Sequence, residues 1–396
     1  MKQVIKSRWE IDAYKLSMGQ IFWLLFQFIW AKYVFVDRNN LPYIKGLAEE
    51  IKRQIVMFSE LPAGIDRAQY VKKIWPWMNW KFLEWYANHK FDPNQVHVDV
   101  VDGKLRIFVQ GPIFEVTYWE IILLRIVSSV YTELSGRIPN PNYVEEAEIR
   151  SRFFFDYGIP WVEGGGRRTF SPTVHWNTLA AATKYLQQNK TGGGLLGTSW
   201  VEYAFQLGLM QFGTQAHEFT GFTGAYFGYE NANRKAMEIW VQAYGTKLGY
   251  VLPDSLTVNK FLEDFTFGYA DLFTGSRHDS GPAIPYVEKM LAHYRSPLID
   301  INPATKYIVH SNSIASFDEA RALNEYKQKE YLRSLLIGGW HTNNVGYPPY
   351  NTVIKLWQIF FDDQTRFAVK IPDDIRKAVG DPQTVTQVIK DLNLQV

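Results

Sequence analysis

The chain reads as an α/β protein in which a mixed N-terminal part precedes a βα-repeated, barrel-like part. Three observations carry that expectation. Residues near 100 form an alternating hairpin pattern; from about residue 135, short apolar runs ending in Gly-rich or polar turns alternate with helical segments; and the chemically unusual motifs fall at those turns. Such alternation argues a parallel sheet whose ligand groups gather at the C-terminal ends of its strands. At 396 residues the chain exceeds one ordinary folding unit. The expected division is an N-terminal α/β domain over 1–134, completed by about 357–396, and an α/β barrel over 135–356.

Each element follows from a local pattern. Asp12 ahead of Ala13 and Met18 reads as a helix N-cap. Ile21 to Val36 is apolar, yet it carries Gln27 and Lys32 and falls short of the ~20 residues of a membrane span, so a buried helix running into a strand is expected. Asp12 and Lys15 precede it and no small-residue cleavage pattern follows, which is unlike a signal peptide. Trp77, Trp80, Trp85 and Tyr86, with Phe82 and Leu83 between them, predict one amphipathic helix packed on a sheet rather than a platform for stacking bases. Val96 to Val101 and Leu105 to Val109 alternate on either side of Asp102-Gly103, a hairpin signature. Gly111-Pro112 ends it, and helices are expected over Glu120 to Tyr131, Thr173 to Gln188 and Asn233 to Tyr244.

Composition removes several classes of function. Hydrophobic residues make up 46% and charged residues 21%, so the chain can bury a core. Lys and Arg number 42 against 40 Asp and Glu, too even a balance for a nucleic-acid-binding face. Cysteine is absent, which removes disulfides, thiolate nucleophiles and Cys-ligated metals and fits a cytoplasmic location. No membrane association is expected.

The motifs point to anions. Gly164-Gly165-Gly166-Arg167-Arg168 puts two planar cations on a backbone that an anion can approach closely, although a surface loop has the same composition. Gly192 to Ser199 has P-loop glycine spacing but carries Thr198 where that loop needs Lys, leaving a strand end with N–H groups and the hydroxyls of Thr198 and Ser199. In Gly213-Thr214-Gln215-Ala216-His217-Glu218 an imidazole adjoins a carboxylate; Gly221 stands where a zinc-protease helix needs its second His, so acid–base or phosphoryl-acceptor chemistry is weighed against a structural histidine. Arg277-His278-Asp279-Ser280-Gly281 suits a ribose or Mg²⁺–phosphate site, or a capped turn. Ser311, with Asn312 and Ser313, and the pair Gly338-Gly339 follow apolar runs and are candidate phosphate contacts.

In this order the motifs resemble the nicotinate phosphoribosyltransferase family, in particular its short bacterial branch. The likeness rests on DAYKLSM (Asp12 to Met18), the strand ending at Arg38, GKLRIFVQGP (Gly103 to Pro112), GRRTF (Gly166 to Phe170), GTSW (Gly197 to Trp200), GTQAHEF (Gly213 to Phe219), GSRHDSG (Gly275 to Gly281) and NTVIKL (Asn351 to Leu356). It implies the fold of a type II phosphoribosyltransferase, a mixed α/β N-terminal domain plus an irregular α/β barrel. It also implies a homodimer with the active site at its interface. The substrates implied are nicotinate, phosphoribosyl pyrophosphate and ATP, with Mg²⁺ as cofactor. By the same resemblance His217 is the phosphohistidine, and Glu218 beside it is a further catalytic residue. Tyr14, Arg168, Ser199, Thr214 and Arg277 hold nicotinate. Arg167, Ser280, Ser311, Gly338 and Gly339 contact phosphates, and Asp279 serves the transfer step and the metal. Nicotinamide-using relatives carry Asp in the turn where this chain has Ser199. The chain departs from the family pattern at Trp340, in place of the Thr of GIGT, at Pro282, in place of an Asp, and at Gly164, in place of a Phe. Two alternatives remain at this point: use of nicotinamide, or a weakened member kept for binding or regulation.

Overall fold

The computed structural model describes residues 1–189 and 192–395. Its strands in chain order are β1 (Trp30–Asp37), β2 (Val96–Val101), β3 (Lys104–Pro112), β4 (Pro160–Glu163), β5 (Gly194–Thr198), β6 (Met210–Gln211), β7 (Tyr250–Val251), β8 (Gly275–His278), β9 (Tyr307–His310), β10 (Leu332–Ile337), β11 (Thr352–Phe361) and β12 (Gln364–Phe367). The helices are α1 (Ala13–Leu25), α2 (Leu47–Ser59), α3 (Ile65–Ile74), α4 (Trp80–Asn88), α5 (Ile113–Val116), α6 (Trp119–Leu134), α7 (Tyr143–Asp156), α8 (Pro172–Ala182), α9 (Val201–Leu207), α10 (His217–Phe227), α11 (Ala232–Tyr244), α12 (Val258–Asp264), α13 (Phe267–Leu272), α14 (Ala283–Arg295), α15 (Phe317–Glu325), α16 (Gly339–Thr342) and α17 (Pro382–Asp391). The chain divides into two compact units, 1–213 with 337–355, and 214–336 with 356–396.

In the first unit β2 and β3 form the expected hairpin, paired from Val96↔Val109 to Val101↔Lys104. Asp102 (φ 50°) and Gly103 (φ 68°) both take the left-handed conformation that a two-residue turn between twisted strands requires. β3 pairs antiparallel with β1 from Trp30↔Pro112 to Val34↔Phe108. β11, whose first residues Thr352 to Lys355 belong to this unit, is the neighbour of β1 on its other side, whereas residues 356–396 group with the second unit. A second, parallel ribbon runs β4–β5–β6. The aromatic residues are mostly core: Trp9, Trp119, Trp161 and Trp200 are fully buried. Helix α6 is buried on every side from Trp119 to Thr132.

Three local expectations change. Helix α4 starts only at Trp80, because Asn79 caps it by accepting the N–H groups of Lys81 and Phe82; Trp77 lies outside and stacks on Trp75 with ring centres 5.0 Å apart. The predicted helix to Gln188 closes at Ala182 and tightens into a 3₁₀ turn, Thr183–Tyr185. Asp12 holds the N-cap position of α1 but its side chain makes no capping hydrogen bond.

The second unit holds a parallel sheet in the order β10–β9–β8–β7. The pairing of β8 with β9, Arg277↔Val309 and His278↔His310, brings the turns after both strands side by side. The chain end packs in this unit: Val369, Ile371 and Val388 share a core with Ala232 and Leu256, flanked by Val385 and Ile389. No helix among the described residues is long and apolar enough to cross a membrane.

Candidate active site

In the first unit two expected base-binding residues, Tyr14 and Ser199, meet Arg167, an expected phosphate contact. The segment entering α1 is sewn to the turn after β5: Ala13 N–H donates to the Ser199 carbonyl at 2.7 Å, and Val201 N–H to the Ile11 carbonyl at 3.0 Å. Tyr14 therefore stands next to Ser199, and the Arg167 guanidinium reaches the Tyr14 hydroxyl at 3.5 Å. Arg167 also faces Glu120 at 3.5 Å, while the buried Lys15 ammonium holds the other oxygen of Glu120 at 2.8 Å. Burial opposes ionisation of Glu120, but Lys15, Lys355 and Arg167 outweigh it and hold the carboxyl down at about 2. Asp12, buried in the same place, goes the other way. Burial pushes it up to about 6 despite Arg167. Arg168 points elsewhere, donating to Asn351 at 3.4 Å, and its carbonyl accepts from Asn343.

The Gly-Arg segment is not a loose surface loop. It forms a 3₁₀ turn, Gly166–Arg168, with Gly165 and Gly166 buried. A Cβ on Gly165 would lie 2.0 Å from the Thr342 hydroxyl, and one on Gly166 2.2 Å from the Trp200 ring, so only glycine fits at both. Gly164 N–H donates to the Ile337 carbonyl at 2.9 Å, which places Gly338 beside the same segment; Gly338 precedes the one-turn α16 and Gly339 opens it. Trp340, half-buried in α16, meets Phe154 edge-on with ring centres 5.8 Å apart.

In the second unit His217 opens α10. Its Nδ1 lies 3.0 Å from Ser255 Oγ, and its Nε2 lies 2.9 Å from Asp279 Oδ2, 2.8 Å from Lys370 Nζ and 3.6 Å from Asp254 Oδ1. Lys370 also donates to Asp254 Oδ2 at 3.1 Å, and the Ser280 hydroxyl donates to that oxygen. Burial lowers the pKa of His217 against the pull of Asp254, with Lys370 adding to the lowering. The resting imidazole is thus favoured neutral. Asp279 is held well below the carboxylate range because Arg277, His217 and Lys370 overcome its burial. Arg277 donates to the Thr214 hydroxyl at 2.8 Å and stands 3.6 Å from Asp279; Ser311 Oγ donates to Asp279 Oδ1 at 3.0 Å. Six expected site residues, Thr214, His217, Arg277, Asp279, Ser280 and Ser311, therefore share one cluster at the strand ends. Glu218 occupies the first turn of α10, where a carboxylate complements the helix dipole, and is outside the group of potential metal ligands.

His217, Asp254 and Asp279 lie close enough to share an ion, with ligand atoms within 4.8 Å of one another. The donor set argues against a closed Mg²⁺ cage, since Mg²⁺ prefers six oxygens and Lys370 already places an ammonium against two of the three ligands. Asp279 alone would offer one carboxylate to a Mg²⁺ arriving with substrate phosphates.

Asp12, Glu120 and Glu163 in the first unit, and Asp254, Ser255 and Lys370 in the second, were not singled out as site residues from sequence. Asp12 opens the DAYKLSM segment, where its local signal is that of a helix cap. Lys370 lies in no motif and reaches His217 across 153 positions of sequence.

Cations and a carboxylate thus gather at parallel strand ends of an α/β frame, the place where enzymes of this architecture bind anionic ligands. Residues 161–395 match the nicotinate phosphoribosyltransferase (NAPRTase) family and residues 10–128 match the NAPRTase N-terminal domain. The chain is 30% identical to a nicotinate phosphoribosyltransferase of Desulforapulum autotrophicum over 98% of this chain and 99% of that one, and 32% identical to one from Photorhabdus laumondii over 89% and 88%. The crystal structure of the Porphyromonas gingivalis enzyme superposes with a TM-score of 0.94 at 30% identity, covering 99% of this chain and all of that one. The chain belongs to the nicotinate phosphoribosyltransferase family, and its fold is the mixed α/β fold of those enzymes.

Proposed function

We propose that this chain catalyses ATP-coupled synthesis of nicotinate mononucleotide from nicotinate and phosphoribosyl pyrophosphate, a step of NAD biosynthesis carried out in the cytoplasm. The observation that carries the reading is the pairing of Arg277, fixed by Thr214, with Asp279, fixed by Ser311, at adjacent strand ends. In the transfer step the pyridine nitrogen forms a bond to C1′ as the bond to pyrophosphate breaks, and the electron pair leaves with the pyrophosphate. The protein's task is positional and electrostatic. Arg277 orients an anion and Asp279 holds the ribose side; Mg²⁺, if carried in with the substrate phosphates, would supply countercharge to the leaving group.

ATP acts through His217. Its neutral Nε2 attacks the γ-phosphorus, ADP leaves, and the Lys370 ammonium at 2.8 Å balances the transferred charge. Hydrolysis of that phosphohistidine drives an otherwise poorly favoured synthesis. Nicotinate rather than nicotinamide is the base, because the turn after β5 presents Ser199 and not a carboxylate, next to Arg167. We extend the reading to a homodimer; the exposed apolar residues Leu24, Leu25, Phe28 and Trp30 fit a covered face. Incubation with labelled nicotinate, phosphoribosyl pyrophosphate and Mg²⁺, with and without ATP, tests the whole: labelled mononucleotide and ATP stimulation are expected, and no product with nicotinate under either condition would overturn it.

A further inference from the structure

Glu163 is fully buried at the end of β4, and one carboxylate joins two pieces of backbone that carry the expected base contacts. Its Oε1 accepts the N–H of Gly165, the residue before the Gly166–Arg168 turn. Its Oε2 accepts the Thr198 hydroxyl at 2.5 Å, and its own carbonyl accepts the Ser199 N–H at 2.8 Å. Thr198 in turn accepts the N–H of Trp200 at 3.0 Å. Behind Glu163 lies a second tier. Arg125, buried and stacked 4.5 Å over the Trp200 ring, donates to the Gly166 carbonyl at 2.8 Å and to the Tyr203 hydroxyl at 2.7 Å, and pairs with Glu10 at 3.0 Å. His175 sits between the tiers, with Nδ1 3.1 Å from Arg125 and Nε2 3.3 Å from Glu163. Arginine can only donate, so Nδ1 carries the lone pair and Nε2, on the Glu163 side, the proton.

We propose that Glu163 is a positioning residue for base selection, setting the register between the Arg167–Arg168 segment and the Ser199 turn. The proposal rests on the reading of those residues as the nicotinate contacts. A segment opened by three glycines has large conformational freedom, and a carboxylate, which only accepts, can hold donors from both sides at once. An amide of the same shape keeps one acceptor for the Gly165 N–H but turns an NH₂ toward the Thr198 hydroxyl, which must reverse from donor to acceptor, and toward His175, so the Thr198 arm is disturbed.

The test is steady-state kinetics with nicotinate and with nicotinamide on the full chain. Glu163→Gln is expected to raise KM for nicotinate about tenfold, more than it lowers kcat, and to reduce the nicotinate-to-nicotinamide ratio of kcat/KM by about 10-fold or more, the effect of a lost charge-assisted hydrogen bond. Thr198→Val, which cuts one arm, should reduce the ratio in the same direction, while Thr198→Ser, which keeps the hydroxyl, should restore it. A purely structural role would lower the melting temperature without moving the ratio. If Glu163→Gln does not fold, the Thr198 pair decides alone. Ser199→Asp reads the base-site assignment separately. If it erodes the ratio while Glu163→Gln and Thr198→Val do not, the positioning role is refuted and the assignment stands; if Ser199→Asp changes nothing, the assignment falls and the role of Glu163 with it.

Discussion

The two clusters treat protons differently. Around Glu163 the carboxylate meets only donors: Arg125 fixes the His175 tautomer with its proton on the Glu163 side, and Glu163 is held at about 2 because His175, Thr198 and the Gly165 N–H outweigh its burial. Around His217 the demands conflict. Nε2 faces the Lys370 ammonium, which needs a lone pair there, and the Asp279 carboxylate, which needs an N–H there. A neutral imidazole cannot satisfy both at one nitrogen. The first arrangement suits a frame that keeps its shape, and the second suits a group whose charge changes during the reaction.

Breaking the conflicted cluster should have the largest effects. His217→Ala is expected to abolish nicotinate-dependent ATPase activity and acid-labile phosphate on the protein while slow, ATP-independent transfer persists. ATP-stimulated turnover in that variant, or phosphate mapped to another histidine, removes the role given to His217. Asp279→Ala should reduce transfer by about 10²- to 10³-fold with or without ATP, as for loss of one preorganised electrostatic contact. Transfer rates in the absence of ATP separate the two variants.

Next in size is Lys370. Replacement by Met leaves the buried Asp254 carboxylate without its ammonium, and removing one partner of a buried pair costs about 3–5 kcal/mol. A chemical denaturation midpoint well below that of the wild type is expected, together with a His217 pKa above its wild-type value, read by NMR titration. An unchanged midpoint would show that Lys370 does not neutralise the cluster.

How far the sequence showed these clusters depended on distance along the chain. The hairpin at Asp102-Gly103 and the helices α6 and α11 were legible because their signals are local periodicity and turn chemistry. His217, Arg277 and Asp279 stood out because glycines flank them. Lys370 and Asp254 did not, because each is one ordinary charged residue whose meaning comes from packing against α10 residues far away in sequence. Glu163 ends a four-residue strand in an apolar run, and nothing local says that its carboxylate will face two donors. The glycines 164–166 carried a real signal, but the loose-loop alternative failed for a tertiary reason, the approach of Thr342 and Trp200.

Titration gives a smaller contrast within the first unit. Asp12 has a folded pKa near 6 against an ordinary 3.8, so the folded state binds its proton more tightly and stability is lost as pH rises from about 4 to 6. Glu163 is depressed from 4.5 to about 2, so its contribution is present above about 4.5 and is lost as pH falls toward 2. Asp12→Asn should therefore gain on the wild type between pH 4 and pH 8 by up to about 3 kcal/mol, two pKa units at 1.36 kcal/mol each. Unfolding free energies at the two pH values check it, and a gap that does not widen would mean that Arg167 keeps Asp12 ionised throughout.

The smallest expected effect is at Trp340, and it separates frame from ligand site within the first unit. The family pattern that this chain resembles has a Thr at that position, whereas here a half-buried indole on α16 packs edge-on against Phe154 of α7. An aromatic pair of this geometry contributes about 1 kcal/mol beyond the area it buries, a small share of a domain's stability. Trp340→Thr should therefore lower the melting temperature by a few degrees, and it places a hydroxyl two residues beyond Gly338, where a phosphate contact is expected. KM for phosphoribosyl pyrophosphate should fall or stay level. A collapse of stability would assign the indole to the core beside Phe154. A rise in KM with the fold intact would instead mean that the indole itself lines the phosphate site, and that this chain holds the sugar phosphate through the Gly338–Gly339 backbone with an aromatic wall in place of the hydroxyl.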